Sequence, residues 1–209
     1  MRLVDLRQLT AALMAVAALS LAACGPKGGA VTTDDMSMGK ASAPVTLIEY
    51  ASASCPHCAR FNNNVFPAFK AKYIDTGKVH YVFREFLTEP VPVAAAGFLT
   101  ARCAGNDRYF PVLDAIFKAQ PEMFADGTGA NATPVLARIA KDVGGMSESQ
   151  FNACVGNEEA LSKLTERVGK YSTDQKISAT PTFVVGDKRL EGEVTMQDLD
   201  TLVASGAKK

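Results

Sequence analysis

"VTLIEYASASCPHC", residues 45 to 58, is the stretch on which the fold turns. Its first half belongs to a run, residues 44 to 52, that is apolar and β-branched in its centre and reads as a buried strand. Ser54 and Cys55 then give way to Pro56, a residue favoured in the first turn of a helix. Two cysteines two residues apart therefore stand at a strand-to-helix junction. Such a pair can exchange disulfides with other proteins, close a structural bridge or hold a metal.

Downstream, Phe61, Val65, Phe69 and Tyr73 recur at a spacing of four, which predicts a helix over about 56–75. Pro67 lies inside it and should kink it, and Gly77 fits the position just past its end. Residues 79–86 read as the next strand. Strand, helix, strand is the order of a βαβ unit. From Val91 to about Lys176 no strand is legible, and helices are expected instead. Phe110, Leu113, Ile116 and Phe117 share one helical face. Ser147 with Gln150 three residues on suggests a capping box. Leu161, Leu164, Val168 and Tyr171 form a stripe expected to face inward. Strands return over 179–192, with a turn at Gly186-Asp187, and a last helix begins behind a Thr195 cap.

Upstream, Arg2 and Arg7 flank the start of an Ala/Leu-rich run from Leu9 to Ala23. It is short for a membrane span and has the shape of a secretory signal over residues 1–23. It ends in "LAAC", Leu21 to Cys24, which resembles the lipobox of bacterial lipoproteins. That resemblance implies cleavage before Cys24 and acylation of its sulfur, whereas an ordinary signal would be cut near Ala23 and leave a free thiol. The next residues, to about Lys40, are rich in Gly, Thr, Asp and Lys and read as a flexible tether, residues 24–40.

The chain has 209 residues, 47% of them hydrophobic, with 22 basic and 22 acidic side chains. A neutral balance argues against nucleic acid as a partner. Five cysteines is an odd number for an exported protein. Lipidation of Cys24 would leave four, in a compartment where disulfides persist.

The pair at the junction is placed for thiol chemistry. Disulfide exchange needs a thiolate, and a free thiol is mostly protonated at neutral pH. Cys55 sits where unpaired N–H groups and the helix dipole favour negative charge. His57, in the same turn, can add positive charge or a hydrogen bond. Cys55 is therefore expected to be an exposed nucleophile of depressed pKa, with Cys58 as the resolving thiol. Zinc would need about four ligands. The one other histidine is His80, and there is no second CxxC. Glu49, in the buried-looking strand, should have a raised pKa and could relay a proton to Cys58, unless it points to solvent.

CPHC after "VTLIEYAS", a Thr-Pro pair before an apolar strand and a helical block between them resemble the DsbA family of disulfide oxidoreductases. The resemblance covers about residues 38–206. It implies an α/β thioredoxin fold with an inserted all-helical domain: residues 41–90 and 177–209 form the thioredoxin-like part and 91–176 the insertion. It implies Cys55, Pro56, His57 and Cys58 as the catalytic motif, with Glu49 as the buried carboxyl. Thr180-Pro181 would be the cis-proline loop beside the disulfide, where a client peptide binds. No metal or organic cofactor is implied beyond the Cys55–Cys58 disulfide. Cys103 and Cys154, in the helical block, read as a structural disulfide, a second redox pair being the rival; the pair departs from the simplest family form.

The signal and lipobox readings imply an extracytoplasmic, membrane-anchored protein. With the pair at the junction, the leading reading is an oxidase of reduced, unfolded secreted proteins, and the family resemblance implies reoxidation by a membrane-embedded, quinone-linked partner. The alternatives are an isomerase or reductase and, in a different class, a lipoprotein that binds clients or a metal without redox turnover.

Overall fold

The computed structural model describes residues 29–207; the expected signal and the lipidation of Cys24 lie outside these residues. The 45–58 stretch folds as the sequence predicts. Strand β2 (Val45–Ala51) is followed by α1 (Pro56–Asn64), which begins behind Cys55. Pro67, with no N–H to donate, interrupts the helix at Val65. A short α2 (Phe66–Phe69) resumes and loosens into one π-helical turn, Lys70–Ile74. Gly77, at φ +72°, then turns the chain into β3 (Val79–Glu85). β2 and β3 pair in parallel, with Val45 opposite Val79 and Glu49 opposite Phe83.

Five helices come next: α3 (Val91–Cys103), α4 (Asn106–Met123), α5 (Ala132–Asp142), α6 (Glu148–Val155) and α7 (Glu158–Asp174). The chain then returns as the hairpin β4 (Thr182–Val185) and β5 (Lys188–Glu191), and ends in α8 (Met196–Gly206). The expected Ser147–Gln150 capping box is present, and the expected Thr195 cap proves to be a second capping box, with Asp198. The α7 stripe is buried at Leu164 and Tyr171, but Leu161, one turn earlier, is exposed.

One expectation is corrected. The segment from Gly29 to Lys40 is not free tether: Met36–Met38 forms β1, antiparallel to β3. Beside this ladder and the packing of Met36 and Met38 on the core, an ion pair fastens it. Asp35 makes a two-pronged pair with Arg84, Oδ1 to Nε and Oδ2 to Nη2, each 2.9 Å. Both side chains are 2% exposed. The Arg84 guanidinium also donates to the Ala30 carbonyl at 2.8 Å and lies over the rings of Tyr50 and Tyr171.

The sheet order is β1-β3-β2-β4-β5, with β4 antiparallel to β2. Strand alternation divides the core. Leu47, Tyr81, Phe83 and Phe183 join the larger cluster with α1, α4 and α8, while Ile48, Tyr50, Val82 and Val184 form a smaller one with Tyr171. The helical block is fastened at the end of β3. Buried Glu85 accepts from Arg102 of α3 at 2.7 Å, Tyr109 of α4 at 2.9 Å and Arg167 of α7 at 2.9 Å. A Cys103–Cys154 disulfide joins the end of α3 to α6.

Candidate active site

Cys55 is the N-cap residue of α1, with extended backbone angles, and Pro56 follows at the first helical position. The cap makes the sulfur an acceptor: the Cys58 N–H points to Cys55 Sγ at 3.4 Å. Both cysteines are free thiols here. Their environments separate them. A hydrogen bond from the Cys58 thiol lowers the Cys55 pKa to about 6; burial opposes this, and the Thr180 side chain and the backbone N–H groups of Cys58 and His57 reinforce it. The Thr180 carbonyl, 3.4 Å from Sγ, can accept only from the protonated form and pulls the other way. Donors to the sulfur win. Burial pushes Cys58 well above its usual value, as do its bond to Cys55 and the charges of Cys55 and Glu49.

Exposure departs from expectation. Cys55 is 6% exposed and Cys58 is fully buried, so Cys55 is the more reachable thiol without being an open one. The loop preceding β4 covers it, and the Thr180–Pro181 peptide bond in that loop is cis, as is Glu89–Pro90. Glu49 lies where the strand reading puts it, 2% exposed. Burial raises its pKa to about 8, although the Tyr81 hydroxyl donates to its Oε2 at 2.6 Å; the charge of Cys55 raises it further.

The ring of His57 does not engage the sulfur. Its Nδ1 lies 3.0 Å from Glu193 Oε1 and 2.7 Å from Arg60 Nη2, and Arg60 Nε also donates to Glu193 at 2.7 Å. A protonated Nδ1 donates to the carboxylate; an unprotonated one accepts from the arginine. In either case the ring is engaged by Glu193 or Arg60 and not by Cys55, and the residue's contribution to the thiolate is its backbone N–H. His80 is a buried residue of β3 whose pKa is lowered by burial.

Two contributors escape sequence reasoning. Gln120 of α4, 5% exposed, donates its Nε2 to the carbonyls of Ala53 at 2.8 Å and Cys55 at 3.1 Å. Gly97 of α3 lets that helix close on the same loop, where an added Cβ would stand 2.9 Å from Ala53 Cβ. The insertion thus braces the redox loop from behind, and no local pattern marks either residue. Among the described residues no cluster of three or more His, Cys, Asp or Glu side chains could hold a metal.

The arrangement is one activated thiol, one suppressed thiol and a buried carboxyl, with a cis-proline loop against the sulfur. It is suited to taking up and giving back a disulfide. The sequence profile of the thioredoxin family matches residues 31–205. A Rickettsia conorii protein provisionally named a protein-disulfide oxidoreductase is 31% identical over 173 residues, covering 83% of this chain and 60% of its own length. The chain thus spans about 60% of the length of that curated relative. Disulfide bond formation protein D of Bacillus subtilis is 27% identical over 154 residues, 72% of this chain and 67% of that one. The crystal structure of Wolbachia pipientis alpha-DsbA1 matches with a TM-score of 0.75 at 26% identity, over 84% of this chain and 94% of that one. This chain belongs to the thioredoxin family, in its DsbA-like branch.

Proposed function

We propose that the protein is an exported thiol oxidase that donates its Cys55–Cys58 disulfide to reduced, folding secreted proteins. A client thiolate attacks Cys55 Sγ, and the S–S bond breaks with its electron pair on Cys58. Cys58 leaves as a thiolate and takes a proton, for which protonated Glu49 is the nearby source. The client's second thiolate then attacks its own sulfur in the mixed disulfide, and Cys55 departs. Two electrons pass from client to enzyme: the client gains a disulfide, Cys58 ends as a thiol and Cys55 as a thiolate. The cis-proline loop, with Thr180 against the sulfur, is the place for the client backbone.

The observation that carries the direction is the Cys55 pKa of about 6. Stabilising the thiolate stabilises the reduced enzyme, so its disulfide is a strong oxidant. Equilibration with glutathione tests this. A potential above about −180 mV is expected, and one near about −270 mV would make the protein a reductase. Cys55→Ser should abolish oxidation of a reduced client; retained activity would place the protein among non-redox binders. Refolding of a scrambled substrate only by the reduced enzyme would favour isomerisation.

Such an oxidase needs a reoxidant, and we assign this to a membrane-embedded, quinone-linked partner. The 1–23 segment and Cys24 support export and a lipid anchor, and mass spectrometry of the mature N-terminus checks both. Cys103–Cys154 fits a structural role, because it joins two helices of the insertion.

A further inference from the structure

A cavity of about 330 Å³ opens between α1, α2 and α4. That is the low end of ligand pockets, about 300–1,000 Å³. Its walls are mainly the rings of Phe61, Phe66, Tyr81, Phe83, Phe110 and Phe117. These rings brace one another at centroid distances of 5.0 Å for Phe66–Tyr81, 6.2 Å for Tyr81–Phe110 and 6.4 Å for Phe83–Phe110, so the space is preformed. Lys70 and Asp114 stand among the lining residues as its charged groups beside Glu49.

Glu49 is the polar group that makes this more than a packing gap. Its Oε2 accepts from Tyr81, while Oε1 has no hydrogen-bond partner among the described residues. No side-chain oxygen there is both sealed from space and unpartnered, so Oε1 keeps access to the cavity it lines. A carboxyl that is 2% exposed and half satisfied in an aromatic chamber lacks one partner. With Oε2 serving as the acceptor for Tyr81, the carboxylic proton belongs on Oε1, which is then a donor.

We infer that this cavity is a binding site for a small neutral aromatic molecule carrying a hydrogen-bond acceptor, such as a ketone or amide oxygen, which receives the Oε1–H of Glu49. The rings supply stacking area, and a single donor at the floor fixes orientation. A cationic ligand would sacrifice that donor, and a carboxylate would be repelled once Glu49 ionises.

The site predicts its own pH dependence. The titratable groups around Glu49 are Tyr81 on β3, Cys55 and Cys58 at α1, and Lys70 and Asp114 in the lining. In the reduced protein Cys55 is ionised above about pH 7, while Cys58 and Tyr81 stay protonated well above their usual values. Glu49, at about 8, titrates between. Acetophenone is the probe, followed by nuclear magnetic resonance on the reduced protein, with ethylbenzene as the isostere lacking the acceptor. Acetophenone should perturb the cavity residues and bind about tenfold more weakly at about pH 9 than at about pH 7, as the protonated fraction falls from about nine-tenths to one-tenth. Ethylbenzene should show no such change. Glu49→Gln, which keeps a donor that does not titrate, should bind acetophenone equally at both pH values. The wild-type comparison stands even if that variant folds poorly. No perturbation of the cavity residues, or the same pH dependence for both probes, would overturn the inference.

Discussion

Alkylation of the reduced protein by iodoacetamide, followed from about pH 7 down to about pH 5, reads the Cys55 environment directly. Cys58 stays protonated throughout, so the reacting thiolate is that of Cys55. With a pKa of about 6, its thiolate fraction falls from about ten-elevenths to one-eleventh, and the rate should drop about tenfold. A thiol of the ordinary pKa, about 8.5, would lose about a hundredfold over the same range. Stability should move in step. The folded pKa lies below the unfolded one, so the thiolate's contribution is complete above about pH 8.5 and is lost as the pH falls through about 6. At about pH 7 linkage, discounted for solvent near the sulfur, gives roughly 1 kcal/mol. The oxidised form has no such contribution, and Glu49 titrates in both forms and cancels to first order. Urea unfolding of the two forms should therefore show the advantage of the reduced form shrinking by roughly 1 kcal/mol between those pH values. A hundredfold fall in alkylation with an unchanged stability difference would refute the reasoning.

Glu49 has the opposite sign: its folded pKa of about 8 exceeds the unfolded value, so holding its proton destabilises the fold increasingly above about pH 4.5. Glu49→Gln, which can still accept from Tyr81, should stabilise the protein by roughly 2–3 kcal/mol at about pH 7 and little at about pH 4, measured by urea unfolding. Glu85→Ala strands the buried Tyr109 hydroxyl and two arginines, and should cost about 3–5 kcal/mol in chemical denaturation. Gln120→Leu should cost about 1–3 kcal/mol and raise the Cys55 pKa in the alkylation assay, because the cap it braces loosens. Replacing Cys103 and Cys154 by alanine opens a crosslink spanning 51 residues. The loss should be at most about 4 kcal/mol, with the glutathione equilibrium of Cys55–Cys58 unchanged.

What could be read from the sequence was what local chemistry writes. The strand-to-helix junction, the Pro67 break, the Ser147–Gln150 capping box and the Thr195 cap depend on residues a few positions apart. Glu49 was legible because a carboxylate stood out among Leu47, Ile48 and Tyr50. What stayed hidden depends on partners brought together by folding. Asp35 looks like tether until Arg84, 49 residues away, meets it. Gln120 looks like an ordinary helix residue until it reaches the Cys55 carbonyl, 65 positions back. His57 was read as a neighbour of Cys55, but Glu193, 136 residues on, holds its ring. Leu161 kept the period of its stripe yet is exposed, while Leu164 and Tyr171 are buried.

The shape of the sheet's margins has a consequence for handling the protein. Its outermost strands are short: Met36–Met38 on one side and Lys188–Glu191, three of whose four residues are charged, on the other. Unpaired strand edges template association with other chains, and brevity and charge blunt them. Trimming the chain beyond Met38 would bare the edge of β3, a seven-residue strand with Val79, Tyr81, Val82 and Phe83 along it. The Asp35–Arg84 pair is thus also a guard against aggregation, holding in place the strand that keeps one copy from zipping onto the next.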